Sequence, residues 1–332
     1  RRHTRFRNVT GVQTCALPIC LEGLKRSVGI HAAAVVITKE PLTEYLPIQR
    51  KPEAGQNPDD APVVTQYEMH GVESLGLLKM DILGLRNLDV ITDCEQLIRR
   101  TQPDFSIDGI PLDDAKTYNL LAAANTIGVF QLESAPMRAL LRSLVPRRFE
   151  DVAAVLALYR PGPMAENMHN DFADFKNARK PARFFHNDAR DVLDDTYGLM
   201  IYQESIMRVA QKFAGYSLAE ADSLRKACAK KDPKAMAEQR PKFVGGCASN
   251  GYGESLGREL FGIIEKFADY AFTKSHAFGY GLITYQTAWL KTHHAVAYFA
   301  CLLTSVKGNS DRAALYLADA RANGITVRTP DI

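Results

Sequence analysis

The feature that most limits the fold is a change of hydrophobic period at Gly84. Before it, residues 31–38 (HAAAVVIT), 63–69 (VVTQYEM) and 77–83 (LLKMDIL) are rich in β-branched and apolar residues, the mark of short strands. Residues 50–62 hold Pro52, Gly55, Pro58 and Pro62 and read as a loop. After Gly84 the chain reads mostly helical. A helix is expected to about residue 100, and others over 113–124, 135–144, 150–159, 202–213, 254–268 and 279–303. Ser217 and Glu220 have capping-box spacing, so a helix starts there and runs to Pro233. Arg160-Pro161-Gly162-Pro163 reads as a rigid break. The expectation is an α+β chain, mostly α: a small β-rich piece over about 21–86, then a helical piece over 87–332.

Charge and cysteines narrow the function. The formal charge is +3, but four arginines lie in the first seven residues, and residues 21–332 carry −1. A chain basic all over is therefore excluded, and nucleic-acid contact needs a local patch. No apolar run reaches the ~18 residues of a membrane span. Six cysteines without a CxxC pair read as reduced thiols of a cytosolic protein. There is no HExxH, C₂H₂, GxxxxGK[ST] or GxSxG pattern, so zinc chemistry, P-loop hydrolysis and serine hydrolysis have no support.

Residues 1–20 stand apart. Val9–Ile19 reads VTGVQTCALPI, which resembles the conceptual translation of a sequencing-adapter oligonucleotide. The other reading is a native arm. Residues 1–20 are treated as non-native, and the rest as a piece of a longer open reading frame.

Four stretches can carry chemistry. On a strand over 77–83, Lys79 and Asp81 share one face. A carboxylate beside a lysine before a Gly turn suits Mg²⁺ and phosphate, and equally an edge-strand ion pair. Residues 222–242 hold Arg225, Lys226, Lys230, Lys231, Lys234, Arg240 and Lys242 against Asp222, Asp232 and Glu238. Lys226 and Lys230 repel at i,i+4, a cost an overlying phosphate relieves; a solvated basic face is the alternative. Tyr270-Ala271-Phe272-Thr273-Lys274-Ser275-His276 combines base-stacking rings with phosphate-bonding groups ahead of a helix, whose N-terminus favours anions. An ordinary capped loop has the same composition. Finally, Gly128–Ser134 (GVFQLES) and Ala157–Met164 (ALYRPGPM) place Arg160 on a stiff turn suited to bidentate phosphate contact, or are packing turns.

Together these stretches, with TYGLMIYQE (196–204), AGYSLAEADSLRKACAKK (214–231), FADYAFTKSHAFGYGLITYQTAWLK (267–291) and YLADARANGITV (316–327), resemble the C-family bacterial replicative DNA polymerases, the polymerase III α subunits, over about residues 21–332. The resemblance implies a tail of thumb at 21–30, part of a nucleotidyltransferase-type palm at 31–86, and fingers at 87–332. It implies DNA-directed DNA synthesis with two Mg²⁺ ions, Asp81 being one of three catalytic carboxylates and a metal ligand. Lys79 would lie by the primer end or triphosphate. Arg225, Lys226, Lys230 and Lys231, with Tyr270, Lys274, Ser275 and His276, would form the nucleotide and template surface. Primer–template DNA and dNTPs are the implied partners. A sliding clamp and clamp loader would be reached through other regions, in the cytoplasm at the nucleoid. The family's other two aspartates lie in a PDxDxDF stretch that does not occur here, so the chain alone is expected not to polymerise. Cys228 and Ala229 stand where the family has Met and Gly, Thr273 where it has Asn, and Ala34 where it mostly has Gly. The competing readings are a C-family translesion polymerase and a catalytically silent nucleic-acid-binding paralogue.

Overall fold

The computed structural model describes residues 29–31, 33–52, 55–230, 233–267 and 272–328. The adapter-like segment 1–20 and most of the expected thumb tail lie outside the described residues. The chain divides into two compact units that part between Gly84 and Leu85, where the hydrophobic period changes.

The smaller unit carries strands β1 (Ala34–Ile37), β2 (Ile48–Arg50), β3 (Val63–Thr65) and β4 (Leu78–Asp81), with helix α1 (Met69–Ser74) before the last. They form two antiparallel ribbons, β1 with β4 and β2 with β3. In the first, Ala34 faces Asp81, Val35 Met80, Val36 Lys79 and Ile37 Leu78. The expected strand over 63–69 is shorter, because Glu68 turns the chain into α1. Its carboxylate accepts from the N–H groups of His70 and Gly71. Strand β2 was not anticipated. Arg50 at its end donates to the carbonyls of Asp59 and Ala61, at 2.6 and 3.0 Å, and so ties down the proline-rich loop.

The larger unit is helical among its described residues. Its first half holds α2 (Arg86–Arg99), α3 (Ala115–Ala122), α4 (Ala135–Leu144), α5 (Phe149–Leu158), α6 (Pro161–Ala165), α7 (Met168–Lys176) and α8 (Arg190–Leu193). Its second half holds α9 (Gln203–Ala214), α10 (Leu218–Lys230), α11 (Pro233–Ser249), α12 (Gly253–Phe267), α13 (Lys274–His293), α14 (Ala295–Ser305) and α15 (Ser310–Ala322). Local signals set many ends. Asp114 caps α3, Ser134 caps α4, and Gly215 closes α9 at φ +68°. The Ser217–Glu220 capping box forms as expected.

Three apolar clusters hold these helices. One centres on α4, α5 and α13, a second on α9–α12, and a third on α2, α14 and α15. Helix α5 is buried on every side, and Gly281 of α13 lies against Ala153 of α5.

Two expectations are corrected here. The break is at Tyr159–Arg160 alone; Pro161 opens α6, because the first helical position needs no N–H. The helix expected over 279–303 begins at Lys274 and divides at His294, which leaves helical geometry at φ −132°, ψ 45° with its ring beside Phe105 and Trp289.

Candidate functional site

In the smaller unit, Lys79 Nζ lies 2.6 Å from Asp81 Oδ1 on the shared face of β4. That hydrogen bond holds the Asp81 carboxyl below the usual carboxylate range. Ala34 is the residue opposite Asp81, so a small side chain leaves the carboxylate open. Among the described residues no group of three or more His, Cys, Asp or Glu gathers as a metal site. Asp81 offers one hard oxygen, which fits one ligand position of a Mg²⁺ and not a complete site.

In the larger unit the sequence-predicted residues separate into three places. Arg160 and His276 come together. Arg160 precedes α6 in extended conformation, and its guanidinium lies 4.2 Å from the centre of the Phe272 ring. His276 lies between Phe272 and Tyr280, edge-on to the first at 5.3 Å and tilted against the second at 4.4 Å. With Gln131, Met137, Leu156 and Tyr159 they line a cavity of about 260 Å³. Among the described residues Arg160 is held by an aromatic face rather than by a carboxylate. Ser275 and Thr273 line a wider depression on the far side of His276 and Tyr280.

Lys274 leaves α13 in another direction. Its ammonium pairs with Asp195 at 2.8 Å and sits over Tyr202 and Phe278. Its N–H donates to Glu204 Oε2 at 2.9 Å. The helix N-terminus expected to attract phosphate is thus already occupied by a protein carboxylate.

The basic stretch is the third place. Asp222 takes both Arg225 and Lys226, at 2.8 Å each, Lys242 pairs with Glu220, and Arg240 with Glu265. The anion that relieves the crowded cations is largely the chain's own. Lys230 closes α10, with its side chain outside the described residues, and Lys231 and Tyr270 lie outside them entirely. Cys228 is buried against Met236, so its departure from the family pattern is a packing change.

Sequence reasoning assigned no role to Tyr202, Gln203 and Glu204, which bind these parts together. Gln203 N–H donates to Phe272 O at 2.9 Å and Phe272 N–H to Ile201 O at 3.4 Å, a one-rung parallel bridge. Gln203 Oε1 accepts from Arg225 Nη1 at 3.2 Å and from Thr273 Oγ at 3.4 Å. Their spacing carries no motif, and only the fold brings residues 201–204 to 272–274.

The family model for the bacterial DNA polymerase III alpha subunit finger domain matches residues 87–251, and that for the alpha NTPase domain matches residues 6–84. The chain is 50% identical to DNA polymerase III subunit alpha of Mycobacterium leprae over 94% of its own length and 26% of the relative's. The subunits of Thermus aquaticus and Bacillus subtilis are each 44% identical, over 96% and 94% of this chain and 26% and 27% of theirs. The chain thus spans about a quarter of the length of the curated relatives it matches. It belongs to the family of bacterial DNA polymerase III alpha subunits.

Proposed function

We propose that this chain supplies the fingers and part of the palm of a DNA-directed DNA polymerase, which joins deoxynucleotides to a primer 3′-hydroxyl during chromosomal replication. The observation that supports it is the meeting of Arg160 and His276 over Phe272 and Tyr280. A guanidinium with no acidic partner among the described residues suits phosphate, and aromatic faces suit a base. Residues 31–86 are the palm portion in this reading and 87–332 the fingers. The relatives give no support to a translesion or silent paralogue.

Within that reading Asp81 would hold one position on Mg²⁺, and Lys79 beside it holds the carboxyl below the usual carboxylate range. Bound Mg²⁺ supplies positive charge for the attacking and leaving oxygens of an in-line displacement. Lys79 faces the primer end or the triphosphate as a point charge. Arg160 and His276 receive the incoming nucleotide, with Ser275 flanking it, while Lys274, paired with Asp195, acts from outside this pocket. Arg225 and Lys226 contact nucleotide and template in this reading, and Lys230, Lys231 and Tyr270 are assigned the same role from the family's motifs. The partners are primer–template DNA and dNTPs at the nucleoid, with clamp and clamp loader meeting the longer protein elsewhere.

Titration of the 332-residue chain with dATP tests the pocket. Arg160→Gln is expected to weaken binding by about tenfold or more, the worth of one charge-assisted contact. Equal affinity for both forms would remove Arg160 from the site.

A further inference from the structure

The basic helix α10 and the loop ahead of α13 are far apart in sequence, yet one side chain joins them. An amide oxygen has two lone pairs. That of Gln203 receives Arg225 Nη1 at 3.2 Å and the Thr273 hydroxyl at 3.4 Å. The opposite edge of the Arg225 guanidinium is already fixed, with Nε donating to Asp222 Oδ1 at 2.9 Å and Nη2 in ion-pair contact with the same oxygen at 2.8 Å. Two of its five N–H donors are thereby directed by hydrogen bonds among the described residues. Asp222 sits on the same helix and sets only where the guanidinium is anchored. Gln203 belongs to α9, and its backbone N–H is bonded to Phe272 O, the residue under Arg160. A change at the Phe272–Lys274 loop therefore reaches Arg225 through one residue.

We propose that Gln203 is a positioning residue. Its amide oxygen tethers Arg225 of the basic helix to the Phe272–Lys274 loop and orients the guanidinium toward phosphate groups carried by the nucleotide. This rests on the nucleotide-binding reading above. Thr273 completes the tether: its hydroxyl supplies a donor to the Gln203 oxygen, the one bond this position needs to make here.

The test uses the full chain and two readouts. Arginine-selective NMR follows the Arg225 Nε–H signal without ligand, and calorimetry follows tripolyphosphate and dATP. Gln203→Met keeps the length and removes the acceptor, whereas Gln203→Glu keeps the acceptor. Gln203→Met is expected to broaden or shift the Arg225 signal and weaken tripolyphosphate binding by about tenfold. Gln203→Glu retains the signal. In an Arg225→Ala background Gln203→Met adds nothing further, since it acts only through Arg225. An unchanged Arg225 signal in Gln203→Met, or the same loss of affinity with Arg225 already gone, overturns the tether. A wild-type chain that binds neither probe overturns the nucleotide reading, while the Arg225 signal still decides whether the tether exists.

Discussion

Replacing Lys291 by methionine should unsettle the larger unit more than most single changes. The Lys291 side chain is 1% exposed, and its ammonium donates to Asp319 Oδ2 at 2.7 Å and to the carbonyls of Asn125 and Ile127 at 2.9 and 2.8 Å, with Asn125 Oδ1 at 3.1 Å sharing one of the three protons. It joins α13 to α15 and to the segment entering Gly128–Ser134, which carries Gln131 of the Arg160 pocket. Burial holds the ammonium below its ordinary pKa, with Asp319 pulling the other way. The charged pair itself is therefore a weak net contributor; the damage comes from stranding its partners. Removing one member of a buried pair costs about 3–5 kcal/mol. For a unit of this size that lowers the melting temperature by about 10 °C. Lys291→Met is compared with Lys291→Met/Asp319→Leu by chemical and thermal denaturation. The double variant should recover part of the loss, because the stranded carboxylate is gone. A single variant within about 1 kcal/mol of wild type refutes the argument.

Three more outcomes follow from other places in the chain. Gly198 has φ +87°, and a Cβ there would lie 2.3 Å from the Arg183 carbonyl oxygen, whereas Gly253 has φ +80° and open space around it. Gly198→Ala should cost clearly more than the ~1 kcal/mol expected of Gly253→Ala, and equal losses in urea melts would show that the contact does not matter. Lys242 and the Ser217 N–H lower the Glu220 carboxyl to about 2 from an ordinary 4.5. Its contribution is present above pH 4.5 and disappears as pH falls toward 2. Wild type should lose more stability over that window than Glu220→Gln, and parallel curves would contradict it. In the complete gene, Asp81→Ala should abolish primer extension and spare DNA binding; retained extension excludes Asp81 from catalysis.

Much of this was legible because the deciding interactions are local. The caps at Asp114, Ser134 and Ser217 and the Gly215 stop lie within a few residues of the groups they satisfy. Strand β4 and its Lys79–Asp81 face follow from a period of two. The start of α13 was misplaced because its cap, Glu204, stands on another helix. The ion pairs within the basic stretch were not legible, because a count of charges cannot show that Glu265 meets Arg240.

By itself the sequence determined the change from strands to helices at Gly84, the locally capped helix ends, and membership of the polymerase III alpha family. Several motifs in one order are too specific to arise otherwise. The tertiary structure decided which motif residues work side by side. It sends Lys274 to Asp195 and His276 to the Arg160 pocket, two residues apart in sequence but on different faces of α13. It also recruits Gln203, which has no motif, as the link between Arg225 and Thr273. The physical reason is range. Backbone capping and strand alternation act over a few residues, whereas ion pairs and ring contacts act wherever packing brings side chains together.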